Sequence, residues 1–425
     1  MPMNPAEIFQ PEIRLQQLSL QNFRGFEQLE FEFKSDLTVF IGENGAGKTS
    51  LLEGIAKLLI AFENQIRGED SRDFKDLKTV FDFLDIRKGS VESVNRMFLS
   101  FADQDLSCEI IFRKKSAPVL GQCHFEGLNE FVRLFYSYKP FNLPLLVYYP
   151  VSNAPVNCID FEEAGDDFEI DSFTALDGAL DNSFDLIRFF SWYKWQENIE
   201  RQLGENKVLN VVRRVIYEML SDDHNRFDKL SINWVQNPNG EMLIHKNDLC
   251  LNINQLSSGE KMLLALVADL ARRLALANPY RENPLLGNGV VLIDEMDLHL
   301  HPRRQRDVIP QLQETFPNCQ FIVTTHSPLI LSNLRRENVI ILEDFKTIKK
   351  TPHTFGRDNN SILYELMGVT QRSAEMQEKL NKCYELIDND QLEEAEACFR
   401  KLSEDLGPND PDIVHGESVI NFMKA

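Results

Sequence analysis

The sequence predicts an α/β fold built on a mostly parallel sheet, interrupted by an inserted mixed and helical lobe and ending in a helical hairpin. Three observations predict it. The apolar run Leu37–Ile41 leads directly into GENGAGKTS (Gly42–Ser50), and then into Leu51, Leu52, Ile55, Leu58 and Leu59 at helical spacing. Residues 250–345 alternate helical spacing with short apolar runs, as strands joined by crossover helices do. The segment Arg372–Ala425 changes to helical spacing alone.

In chain order, residues 13–33 alternate through Leu15, Leu18 and Leu20, then Leu29, Phe31 and Phe33, giving two strands around NFRGF (Asn22–Phe26). A strand at Leu37–Ile41 and a helix at Thr49–Phe62 follow. Residues 65–249 read as a lobe inserted between two halves of one core, 1–64 and 250–345. The lobe holds strand-like pieces at Ser107–Phe112 and Leu145–Tyr149. Its helical region begins near Phe184, includes Trp192 and Trp195, and continues through Val208–Leu220. It lacks the sustained heptads of a long coiled coil. The core resumes with a helix at Gly259–Ala277, a strand at Val290–Ile293, a helix at Pro302–Phe316 and a strand at Cys319–Thr324. In 346–425, Leu380, Tyr384, Ile387, Leu392, Ala395, Phe399 and Leu402 predict a hairpin whose second helix ends at Gly407-Pro408.

Composition narrows the function. A length of 425 residues admits two or three domains, and an apolar fraction of 43% with 30 Phe supplies a sizeable core. The net charge of −21 counts against a surface that grips DNA throughout, so nucleic-acid contact would come from a local patch or a partner. Acidity concentrates in Asp160–Asp181, which has no Lys or Arg and reads as a solvated loop or a docking surface for a basic partner. Seven scattered cysteines without a CxxC pair predict reduced, buried thiols rather than a zinc ribbon or a disulfide scaffold. The start MPMNPAEIFQPEI has neither a basic nor an apolar segment, and no apolar run is long enough to span a bilayer; a cytoplasmic protein without membrane contact is expected.

The chemistry lies in four short segments. In Gly42–Ser50, glycines let backbone N–H groups turn onto phosphate oxygens while the following helix aims its positive end at them. Lys48 would bridge the β- and γ-phosphates of ATP, and the Thr49 hydroxyl would ligate Mg2+. Asp294 and Glu295 end an apolar strand, where adjacent carboxylates are costly without a cation. Asp294 would hold magnesium directly or through water, and Glu295 would polarise the attacking water as general base or by orientation. In Thr325-His326-Ser327 the histidine sits at the next strand end, within reach of a γ-phosphate. LSSGE (Leu256–Glu260) precedes an apolar helix, so Ser257, Gly259 and Glu260 form a second helix N-terminus suited to phosphate. Two such devices, far apart in sequence, suit a nucleotide held between subunits. His299 and His301 lack further metal ligands and read as a turn before a helix.

These segments resemble the ATPase heads of the SMC and RecF group within the ABC superfamily, over roughly residues 13–345. NFRGF, GENGAGKTS, LSSGE, LIDEMDLHLHP and TTHSP carry the resemblance, with Ser258 standing where the signature usually has a glycine. It implies an ABC-type ATPase head in which Arg24, Asn44, Gly45, Ala46, Gly47 and Ser50 also approach the nucleotide. Asp297 would lie in a loop linking two sites, and head-to-tail homodimers or higher oligomers would share ATP. No glutamine-loop residue is assigned, since Gln122 and Gln196 have no supporting context.

Further segments resemble the ATPase subunit of Septu anti-phage defence and its retron-borne relatives. They are PLLVYYPV (Pro144–Val151), FFSWYKWQENIE (Phe189–Glu200), FGRDNNSILYELMGV (Phe355–Val369) and YELIDNDQLEEAEACFRKLSEDLG (Tyr384–Gly407). This resemblance implies a partner HNH nuclease, in some systems a retron reverse transcriptase and its DNA, and a C-terminal region that docks partners. Two rivals remain. One is a RecF-like repair ATPase acting directly on DNA; the other is a self-contained TOPRIM nuclease, for which Asp388-Asn389-Asp390 has the required spacing but falls in the predicted hairpin.

Overall fold

Four strand runs are buried at every position, and they lie side by side in a six-stranded sheet, three inside it and one at its edge. They are β3 (Leu37–Ile41), β6 (Leu145–Tyr149), β10 (Gly289–Ile293) and β11 (Cys319–Thr324). Continuous apolar runs of this kind are what strands covered on both faces require. The order is β13-β12-β3-β11-β10-β6, with β12 (Val339–Glu343) and β13 (Lys346–Ile348) at one edge. Every pairing is parallel except that of β12 with β13. A computed structural model describes residues 12–67, 80–101, 104–114, 141–151, 172–181, 186–235, 239–348, 352–367 and 372–424. Most of the acidic stretch, together with Gln122, Cys123, Cys158 and Phe184, lies outside the described residues.

A second sheet, β2-β1-β4-β5, is antiparallel, formed by β1 (Ile13–Phe23), β2 (Phe26–Glu32), β4 (Glu92–Phe101) and β5 (Gln104–Arg113). It alternates buried and exposed positions, as a sheet with one packed face does. A third, β7-β8-β9, joins Phe227–Asn233, Glu241–Lys246 and Leu249–Asn252. Residues 65–249 therefore do not stand apart from the core. Strand β6 pairs with β10 at the edge of the central sheet, while β4 pairs with β1 of the N-terminal hairpin and β5 with β4, and α1 packs against both. The helices of this stretch, α2 (Leu186–Leu203) and α3 (Lys207–Leu220), pack against the helix that follows LSSGE.

Helices α1 (Lys48–Arg67), α4 (Ser258–Ala277), α5 (Pro302–Thr315) and α6 (Pro328–Leu331) complete the unit spanning residues 1–357. His301 caps α5, with Pro302 at its first position, as its reading as a turn before a helix requires.

Residues 358–425 form a separate unit. It contains α7 (Asn359–Met367), α8 (Ala374–Asp388), α9 (Leu392–Leu406) and α10 (Pro411–Lys424). The expected hairpin is present as α8 and α9, and Gly407 ends α9 with φ of 87°. A further helix, α10, adds Ile413 and Ile420 to the core of Leu380, Ile387, Ala395, Phe399 and Leu402. Asp388 is the last residue of α8 and Asp390 lies in the following turn, so the DxD spacing falls on a helix end rather than a sheet. The expectation of reduced thiols is corrected for one pair. Cys383 and Cys398 form a disulfide, with Cα atoms 5.6 Å apart, because both face the inside of the hairpin. Among the remaining described cysteines, Cys108 and Cys319 are buried thiols and Cys250 is an exposed one.

Candidate active site

Parallel topology assembles the site. Strands β3, β11 and β10 are adjacent and run the same way, so Gly42–Ser50, Thr325–Ser327 and Asp294–Glu295 all leave the sheet at one edge. This is the edge where open α/β sheets bind ligands. Cross-links hold the three ends in register. Thr325 N donates to Phe40 O at 3.2 Å, Met296 N to Thr324 O at 3.0 Å, and Asp294 N to Tyr149 O at 2.9 Å.

The phosphate loop is braced from behind. Gly47 has φ of 101°, and a Cβ there would stand 2.7 Å from the Phe345 ring and 2.8 Å from that of Phe26. Only glycine meets both conditions. The same Phe345 ring lies against Gly25 and packs edge-on to Phe26, at 5.3 Å between centroids. Phe345 is delivered by the β12–β13 turn, where both Asp344 and Phe345 have positive φ. A bulky residue in that region is strained, and such strain collects at functional sites.

Within the loop, the Lys48 ammonium donates to Gly42 O at 2.9 Å and Glu43 O at 3.0 Å. Burial pushes its pKa down, while Glu295, Asp294 and Asp297 pull it back up. The Thr49 hydroxyl donates to Asp294 at 2.7 Å, and Asp294 also accepts from the Thr324 hydroxyl. A hydroxyl and a carboxylate meeting beside a phosphate loop are the hard oxygen donors that Mg2+ prefers. Glu295, with φ of 46°, is fixed by its N–H donating to the Thr324 hydroxyl at 2.7 Å. Asp297 accepts from the Thr325 hydroxyl at 2.5 Å and from the His326 N–H at 3.0 Å, tying its turn to the histidine strand end. The buried His326 Nε2 has no partner among the described residues and is free for a ligand oxygen. Phosphate and magnesium fit these groups.

Arg24 approaches from the antiparallel sheet. It pairs with Glu53, donates to Asp85 at 2.9 Å and reaches the Ser50 hydroxyl at 3.4 Å. Burial works against the charge on Arg24, but Glu53 and Asp85 outweigh it and raise the pKa. Asp85 also pairs with Lys57. Glu53, Asp85, Thr324 and Phe345 were missed in the sequence because no motif marks them; only the fold brings them to Arg24, Asp294 and Gly47.

LSSGE is built differently. The Ser257 hydroxyl accepts from Glu260 N at 3.4 Å, and the Glu260 carboxylate accepts from Ser257 N at 2.9 Å, a capping box that starts α4. Glu260 also pairs with Lys246 at 2.8 Å. A Cβ on Gly259 would stand 2.3 Å from His299 O, so the segment is seated on the turn that contains Asp297. Lys261 N is taken by Ser257 O, whereas Ser258 N and Gly259 N carry no bond among the described residues. None of the described bonds of Ser257–Glu260 reaches Gly42–Ser50. Gln196 accepts from Asn206 at 2.6 Å, joining α2 to α3.

Two AAA domain families match, one over residues 17–210 and one, whose description extends to a Type IV TA system, over 171–332. The chain is 30% identical over 407 residues to the "Retron Vc95 probable ATPase" of Vibrio cholerae, covering 83% of this chain and 78% of that one. The chain belongs to the retron ATPase family. Membership makes it an ATPase. It is also 28% identical to the "Retron Ec83 probable ATPase" of Escherichia coli, over 95% of this chain and 86% of that one. Identity to the Septu protein PtuA of Bacillus thuringiensis is 24%, over 93% and 95%. A RecF of Listeria monocytogenes matches at 42% identity over 62 residues, 15% of this chain and 16% of that one. An SMC head bound to the C-winged helix domain of ScpA aligns at 14% identity and a TM-score of 0.48, covering 79% and 97%. Among the described residues, no helix of this retron ATPase relative is long and apolar enough to cross a membrane.

Proposed function

We propose that this ATPase is the nucleotide switch of an anti-phage defence complex, in which two copies close head to tail around shared ATP and govern a partner HNH nuclease. Lys48, Thr49, Asp294, Glu295 and His326 would serve a nucleotide on one subunit, with Mg2+ on Thr49 and Asp294. Ser257, Ser258 and Gly259 would reach the γ-phosphate from the other. One observation supports this most. LSSGE is a capped helix start with two open N–H groups, and its described bonds run to Lys246, to its immediate chain neighbours Ile253 and Lys261 and within itself, not to its own phosphate loop. Two relatives are named for retrons and one for Septu, which supports a place among such defence systems; the nuclease and, in a retron setting, a reverse transcriptase with its DNA are the partners that the sequence resemblance implies. The C-terminal unit, 358–425, would dock them. A RecF-like enzyme acting on DNA itself would need a basic groove, against which the net charge of −21 counts. Glu295→Gln should trap the closed state, so its mass with Mg-ATP should be that of a dimer or larger and return to the monomer without nucleotide. A monomer under both conditions contradicts the shared site.

A further inference from the structure

Strand β6 runs parallel to β10, with Tyr148 level with Leu292, two residues before Asp294. The neighbouring Tyr149 turns its hydroxyl to Asp269 of α4, at 3.0 Å. Successive strand residues face opposite sides, so Tyr148 faces the side on which α1 packs against β6. Helix α1 is the one that starts at the phosphate loop. Tyr148 is 0% exposed, and its hydroxyl has no hydrogen-bond partner among the described residues. The charged groups acting on it are Asp294, then Glu53, opposed by Arg24, all three from the site. A buried hydroxyl without a partner is costly, and phenylalanine would fill nearly the same volume without that cost. The cost is met when a ligand supplies the partner.

We propose that the Tyr148 hydroxyl is a positioning group for nucleotide-bound magnesium, donating its hydrogen bond to a water of the metal's shell beside Asp294. Burial, then the neighbouring carboxylates, push the phenol's pKa up. This role rests on Thr49 and Asp294 as the magnesium donors.

The test is Tyr148→Phe, with Thr49→Ala alongside. Binding of a fluorescent ATP analogue is titrated with magnesium, and unfolding of the nucleotide-free protein is followed by heating. Tyr148→Phe should unfold at or above the wild-type temperature and need about tenfold more magnesium for half-saturation. An unchanged magnesium requirement overturns the proposal. So does a lower unfolding temperature without nucleotide, which would make the hydroxyl structural. If Thr49→Ala also leaves the magnesium requirement unchanged, the magnesium site itself is misassigned; if only Tyr148→Phe does, the fault lies with Tyr148 alone.

Discussion

Two helices of this chain begin in glycine- and serine-rich sequence, α1 at Lys48 and α4 at Ser258, and their surroundings differ. The first is ringed by charge from its own chain: Lys48, Asp294, Glu295, Asp297 and, one sheet away, Arg24. The second has one acidic residue, Glu260, already occupied by Ser257 and Lys246, and open N–H groups above it. A helix N-terminus alone attracts an anion weakly; metal donors and a polarising carboxylate are needed to do chemistry on it. On the proposed function, one end thus serves binding and hydrolysis, and the other serves recognition alone.

The largest expected break in this contrast comes from the equipped end. Lys48→Ala should weaken ATP binding by a hundredfold or more, about 3 kcal/mol, measured by calorimetry on the isolated protein. Ser258→Glu acts on the other end. A carboxylate suits the start of α4 but repels phosphate, so ATP binding by the monomer should stay within about twofold while nucleotide-driven dimerisation falls at least about tenfold. Equal loss at both steps would mean that LSSGE serves its own nucleotide. Removing magnesium sharpens the assignment further. With saturating ATP, EDTA should lower the unfolding temperature of the wild type and change Asp294→Asn much less, since ligand binding stabilises by about 2.7 kcal/mol at a hundred times Kd. The smallest effect on ATP binding is expected from the C-terminal unit. Cys383→Ala should destabilise the 358–425 unit by about 3 kcal/mol, by the loop-closure estimate, and leave ATP affinity unchanged.

How much of this was legible follows from what each feature depends on. Strands β3, β10 and β11 and helices α1 and α4 were readable because burial on all sides leaves unbroken apolar runs, and glycine punctuates them. Strand β6 was visible as a strand but not as a member of the sheet, since its partner β10 lies far along the chain. The same holds for β5, read at Ser107–Phe112, which joins the N-terminal hairpin only through β4, a strand that was not read at all. Glu53 and Asp85 carry no motif, and become partners of Arg24 only when helix and turn converge. The Cys383–Cys398 bond depends on the hairpin's register, which spacing alone does not give.

The central claim is that the two unlike ends belong to one site on two subunits, and complementation tests it most directly. Lys48→Ala lacks a working phosphate loop and Ser258→Glu a working signature, so each alone should hydrolyse ATP at background rate. Mixed in equal amounts, they should recover about one quarter of wild-type activity, because half of the dimers are mixed and each of these has one intact shared site. A mixture no more active than its separate components would contradict the account.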